Sequence, residues 1–145
     1  MKETDILLLE NQLCFPLYAA AKETVRYYRA YLDPLGLTYT QYIAMMALWQ
    51  HKKMTISDLG KMLYLDSGTL TPMLKKMEGA GLIVRRRSAV DERNVEVTLT
   101  EQGEDLRESA LSIPSELAKH VLLNTSEILQ LYRLLYKLLG KECNW

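Results

Sequence analysis

The stretch "TISDLGKMLYLDSGTLTPMLKKMEGAGLIVRRRSAVDERNVEVTLT", residues 55 to 100, decides the fold. Thr55 followed by Asp58 has the spacing of a capping box, and Ile56, Leu59 and Leu63 fall on one face of the short helix it starts. "YLDSG" supplies a turn, Asp66 or Ser67 can cap a second helix, and "GAG" stops that helix after Glu78. Two short helices joined by a tight turn form a helix-turn-helix. Behind them, "LIVRRRS" and "VEVTLT" are β-rich runs, the second alternating apolar and polar residues, and the polar "AVDERN" joins them. A hairpin directly after a helix pair is a wing, so the segment predicts a winged helix-turn-helix.

Charge falls on the same segment. The chain has 18 Lys+Arg and 18 Asp+Glu among 145 residues, so its net charge points to no partner. Between Lys75 and Arg93, however, Lys75, Lys76, Arg85, Arg86, Arg87 and Arg93 face only Glu78, Asp91 and Glu92. Basic side chains there would neutralise DNA phosphates. Ser67, Thr69 and Thr71 on the first turns of the second helix could reach base edges in the major groove, and Arg93 at the hairpin tip could enter the minor groove. A solvated charged surface is the plain alternative, but helix pair, hairpin and basic bias coincide on one segment.

Outward from this segment, "TQYIAMMALWQH" predicts a helix over about residues 40 to 51, separated by "LDPLGLTY" from a long amphipathic helix over about 5 to 32. Pro16 predicts a kink beside Cys14, or a helix that begins there. Beyond Thr100 the helical period returns, with breaks at Pro114 and near Asn124. Ile128, Leu131, Leu135 and Leu138 make a stripe too apolar for a lone terminal helix, and another copy of the chain is its expected partner. The expected fold is mainly α with a small β-hairpin wing. Dimerisation helices occupy about 5–35 and 100–140, and the DNA-binding winged helix-turn-helix about 40–99.

A hydrophobic share of 48% is ample for one core, and nowhere do about 18 apolar residues follow one another. The N-terminus lacks a basic region before its short apolar run, which makes a cytoplasmic protein with no membrane association the expectation. With two histidines and two distant cysteines, neither a metal site nor a disulfide framework is expected, and no cofactor.

One cysteine is placed with purpose. Cys14, Tyr18, Ala21, Val25, Tyr28 and Leu32 follow helical spacings and share a stripe. Tyr18 lies about 6 Å along the axis from Cys14, but Tyr28 lies about 21 Å away and cannot reach it within one chain. It could reach the cysteine of a second subunit if two such helices cross antiparallel near the small "AAA" at 19–21. Core packing is the plain alternative for such a stripe.

Taken together, "LYLDSGTLTPMLKKMEGAGLIVRRRSAVDERNVEVTLTEQG", "LCFPLYAAAKE" and "LTYTQYIAMMALW" resemble the MarR family of bacterial transcription regulators, and within it the organic-hydroperoxide-responsive branch, the OhrR type. The resemblance covers about residues 6 to 110. It implies a homodimeric repressor, not an enzyme, that binds double-stranded DNA at an inverted-repeat operator and leaves it when Cys14 is oxidised. It further implies that Tyr28 and Tyr39 come across the dimer to the thiolate, that Tyr18 also lines the pocket, and that the wing has an Asp-x-Arg tip, here Asp91 and Arg93. Hydrogen bonds donated by tyrosines favour a thiolate, the form that attacks a peroxide. Phe15, Leu17 and Met45 are expected to favour alkyl over hydrogen peroxide. Cys143, in the terminal "KECNW", is read as an incidental tail thiol, with a resolving partner for Cys14 as the alternative, and a low-molecular-weight thiol as the expected reductant. Two other functions stay open at this point: a MarR-type repressor released by a small aromatic ligand with no redox role for Cys14, and a thiol peroxidase.

Overall fold

The computed structural model describes residues 3 to 141, so Cys143 and Trp145 lie outside the described residues. The chain divides into two units, one ending at Ile113 and the other beginning at Pro114. In order, the elements are α1 (Cys14–Leu32), α2 (Tyr39–His51), β1 (Lys53–Thr55), α3 (Ile56–Leu63), α4 (Ser67–Gly79), β2 (Ile83–Arg87), β3 (Val95–Leu99), α5 (Glu101–Ala110), α6 (Ile113–Ala118) and α7 (Thr125–Leu138).

The core of the first unit is built around α2, which is apolar on nearly every side and buries Tyr42, Ala44, Met45, Ala47, Leu48 and Trp49. A helix of that composition needs neighbours all round. It has them in α1, α3, α4, α5, β1 and β3. Leu59 from α3, Leu70, Leu74 and Met77 from α4, Ile83 from β2 and Val97 from β3 complete the core, each all but fully buried. Side chains of this size contribute roughly 1.5–3 kcal/mol apiece on burial, which is what anchors α3 and α4.

The helix-turn-helix has the expected parts. Thr55 caps α3 by accepting the Asp58 N–H at 3.0 Å, and Asp66 caps α4 by accepting the Thr69 N–H at 2.9 Å. Between them the two helices approach so closely that a Cβ on Gly60 would stand 2.9 Å from the Leu65 carbonyl oxygen, so glycine is required there. The sheet has one strand more than the hairpin. β1 pairs antiparallel with β3, with Met54 opposite Val97, and the strand order is β1-β3-β2.

The N-terminal helix is shorter than the periodicity predicts. Residues Glu3–Leu7 and Leu9–Asn11 form short 3₁₀ turns, and α1 begins at Cys14. Pro16 explains the boundary. In the first helical turn a missing N–H costs nothing, because those groups have no partner within the helix. Gln12, four residues earlier, is extended with ψ 112°, which takes its carbonyl out of the path of the proline ring.

In the second unit α7 is closed by a reciprocal cap: Glu127 N–H donates to Asn124 Oδ1 at 3.1 Å, and Asn124 N–H donates to Glu127 Oε2 at 2.8 Å. No residue of α7 is buried, and Ile128, Leu131, Leu134 and Leu138 are all exposed. Among the described residues no helix is long and apolar enough to cross a membrane.

Candidate functional site

The wing tip is organised by Asp91. Its carboxylate accepts the Arg93 N–H at 3.0 Å, and its carbonyl accepts the Asn94 N–H at 2.9 Å. At the base of the tip Ser88, 6% exposed, donates its hydroxyl to Glu96 and accepts the Val90 N–H. Lys53 of β1 stands 3.3 Å from the same Glu96. The Ser88 hydroxyl, then Lys53, hold the Glu96 carboxyl below its ordinary range. These bonds leave Arg93 free to extend, with its side chain 93% exposed and only a loose 3.6 Å contact to Asp91. Through these bonds the Asp91 side chain and backbone give the tip its shape.

On α4, Ser67, Thr69, Lys75 and Lys76 are exposed and Thr71 is half-buried. The Thr69 hydroxyl is occupied, donating to Asp66 Oδ2 at 3.1 Å. The Thr69 N–H and that hydroxyl hold the Asp66 carboxyl below its usual value. On β2 the three arginines part company. Arg86 and Arg87 are exposed, in the half-buried to open part of the strand, whereas Arg85 is folded onto Glu78 of α4.

The thiol site has a different character. Cys14 is the first residue of α1, exposed and free. Phe15, Leu17 and Tyr18 beside it are exposed too, at 41%, 38% and 63%. Met45 departs from expectation: it is wholly buried in the core and so is not part of a surface beside the thiol. The far end of α1 carries the aromatic cluster. Tyr28 packs on Tyr39 with ring centres 4.8 Å apart and on Tyr42 at 5.7 Å. Burial raises the pKa of all three phenols, and their mutual proximity raises those of Tyr28 and Tyr42 further. At neutral pH they are therefore protonated O–H donors. Tyr42 is not among the expected site residues, although its position three residues after Tyr39 on one helix face is a usable signal. Behind it, Trp49 meets the Tyr42 ring edge-on at 6.4 Å and donates its indole N–H to the Gly103 carbonyl at 2.9 Å.

The structure thus brings Tyr28 and Tyr39 together within one chain and leaves Cys14 about 21 Å from Tyr28 along the helix axis. Among the described residues no group of three or more metal-ligating side chains is present.

Residues 37–95 match the model of the MarR family. The chain is 49% identical to the organic hydroperoxide resistance transcriptional regulator of Bacillus subtilis, over 93% of its own length and 92% of that protein's. It is 39% identical to the HTH-type transcriptional regulator SarZ of Staphylococcus saprophyticus, over 98% and 97% of the two chains. Among solved structures, reduced AbfR bound to DNA superposes with a TM-score of 0.79 at 33% identity, covering 97% of each chain. The winged helix with its basic face and the likeness running through nearly the whole sequence lead to one conclusion: the chain belongs to the MarR family of winged-helix transcription regulators.

Proposed function

We propose that this protein is a cytoplasmic, homodimeric repressor that binds an inverted-repeat operator and releases it when an organic hydroperoxide oxidises Cys14. The observation that carries the reading is the division of α1: an exposed thiol on its first turn and a cluster of protonated phenols near its last. One chain leaves the two ends apart. Two α1 helices crossing antiparallel near Ala21 would bring each Cys14 to the Tyr28 and Tyr39 of the other subunit, with Tyr18 one turn from the sulfur. The exposed apolar residues of α7 supply a further surface for the second copy.

The chemistry then follows in balanced steps. The Cys14 thiolate attacks the terminal peroxide oxygen, the O–O bond breaks, and the alkoxide leaves and takes a proton as the alcohol. Sulfur is oxidised to the sulfenic acid and the peroxide is reduced. A low-molecular-weight thiol condenses with the sulfenic acid, forming an S–S bond and releasing water. The bulk of that disulfide no longer fits where a thiolate accepted tyrosine hydrogen bonds. If those bonds hold the two subunits in register, their loss moves the recognition helices off half-sites about 34–36 Å apart. On the DNA face, Ser67 and Thr71 of α4 are assigned to base edges, Lys75, Lys76, Arg86 and Arg87 to phosphates, and Arg93 to the minor groove; the exposure of Ser67, Lys75, Lys76, Arg86, Arg87 and Arg93 supports this. The relatives named for hydroperoxide resistance and for DNA binding support the same assignment.

The test is operator binding by reduced wild type and by Cys14→Ser, each with and without cumene hydroperoxide. Both should bind; only wild type should lose DNA on oxidation. Release of Cys14→Ser to the same extent would remove the thiol from the mechanism, and a monomer at micromolar concentration in sedimentation would remove the dimer.

A further inference from the structure

The arginine run 85–87 in the wing looks uniform in sequence, yet the fold treats its first member differently. Arg85 places Nε at 3.0 Å and Nη2 at 2.6 Å from Glu78 Oε2, and its backbone N–H donates to Glu78 Oε1 at 2.9 Å. Both oxygens of one carboxylate are thus committed to one residue of the neighbouring strand. The Arg85 side chain is only 21% exposed, whereas Arg86 and Arg87 are exposed residues.

We propose that Arg85 and Glu78 form a strut that sets the angle between recognition helix α4 and the wing, so that Arg85 is a positioning residue for DNA binding and not a phosphate ligand. The proposal rests on the DNA-binding reading above and assigns a role within it.

Three features of the molecule support it. First, Glu78 sits in the last turn of α4, where the helix dipole is negative and a carboxylate is unfavourable without a cation. The Arg85 hydrogen bonds supply that cation, and they hold the Glu78 carboxyl ionised below its ordinary range. Second, β2 is an edge strand, paired on one side only with β3. The Arg85 N–H on its open side would otherwise be available to another chain, and the Glu78 carboxylate covers it. Third, the link between α4 and β2 is short and turns through Gly81 at φ +76°, so the strand leaves directly beside the last turn of α4 and brings Arg85 within reach of Glu78. An Arg–carboxylate fork is planar and directional, suited to fixing an angle in a way that a lysine ammonium is not. Binding of a phosphate by Arg85 would require this fork to open, leaving Glu78 facing the polyanion.

The experiment measures operator affinity against salt concentration, with a duplex selected by the wild-type protein from a randomised pool, for wild type, Arg85→Lys, Glu78→Gln and the double variant. It also follows amide hydrogen exchange in the wing of the free proteins. Deleting one phosphate-binding cation from each subunit lowers the salt slope by about two units, and lysine in place of arginine largely preserves it. A strut predicts the opposite. Arg85→Lys and Glu78→Gln should each weaken binding roughly tenfold with the slope unchanged, the double variant should be no weaker than the weaker single one, and wing amides should exchange at least threefold faster in all three. Wild-type affinity and wild-type wing exchange in Arg85→Lys would overturn the proposal, as would additive losses in the double variant. If the wild-type protein selects no duplex, the DNA-binding reading fails by itself. The exchange rates then decide the strut alone: faster wing exchange in Arg85→Lys and Glu78→Gln upholds it, and unchanged exchange overturns it.

Discussion

In the wing, Asp91, Ser88, Glu96 and Lys53 bond to one another or to nearby backbone of the same chain, and Glu78 receives Arg85. At the start of α1, by contrast, Cys14 stands exposed among exposed Phe15, Leu17 and Tyr18, and the phenols suited to it lie at the other end of the helix. The difference teaches where a second subunit is needed. A DNA-facing element can be rigid and complete in one chain because DNA supplies only phosphates and base edges. A sensor meant to report on the relation between two chains gains by being divided between them.

The largest expected effect tests whether the DNA-facing region is anchored by its core. Leu70, 1% exposed, packs where α4 meets the rest of the unit, and Leu70→Ala should cost about 2–5 kcal/mol of stability in chemical denaturation. A loss below about 1 kcal/mol would mean that the recognition helix is held some other way. Next comes the wing tip. Arg93→Ala should weaken operator binding about tenfold or more without altering thermal stability, since its side chain is 93% exposed and its ion pair with Asp91 is loose. Lys75→Ala or Lys76→Ala should do less, each lowering the salt slope by about one unit per phosphate per subunit. Unchanged binding in all three variants would move the DNA face elsewhere.

The proposed division of the sensor between two subunits makes a sharper prediction of smaller size. Tyr28→Phe and Tyr39→Phe should bind DNA normally but react with hydroperoxide several-fold more slowly at neutral pH, a deficit that shrinks as pH rises and thiolate forms without help. In a heterodimer of Cys14→Ser with Tyr28→Phe, the one remaining Cys14 lies on the Tyr28→Phe chain. If the tyrosine acts across the dimer, that cysteine reacts at the wild-type rate per thiol. A rate equal to that of the Tyr28→Phe homodimer would place the donor in the same chain and erase the contrast between the two regions.

The smallest effect concerns the cap of α4. Asp66 has its pKa lowered by the Thr69 N–H and hydroxyl, so its folded value lies below its unfolded one. Stabilisation is then fully present above the unfolded value and is lost as pH falls through the folded one. Asp66→Asn keeps an acceptor for the Thr69 N–H and should lower the melting temperature slightly at pH 7. The gap to wild type should close in acid, as pH falls below about 4, where an unperturbed Asp is already half protonated. A constant gap across that range would mean that the ionised carboxylate does not contribute.

Local pattern was enough for the helix-turn-helix, the hairpin and the start of α7, because caps, glycine stops and period-two alternation act within a few residues of one another. Thr55, Asp66, Gly81 and Asn124 each declare an element boundary from its own neighbourhood. The shared stripe of Cys14 and Tyr28 was legible for the same reason, since helical spacing is arithmetic along one chain. Other features depended on contacts between distant residues. β1 has three residues, too few to show a period, and exists because Met54 finds Val97. For the start of α1, Pro16 left two outcomes open, a kink in a longer helix or a helix beginning beside Cys14, and the extended Gln12 decides for the second. Met45 had the composition of a pocket residue and the position of a core one. Tyr42 joined Tyr28 only when α1 folded against α2. Among three consecutive arginines, only the tertiary structure could separate Arg85 from its neighbours, because the carboxylate that claims it belongs to another element and the choice between salt bridge and phosphate is made by geometry, not by residue type.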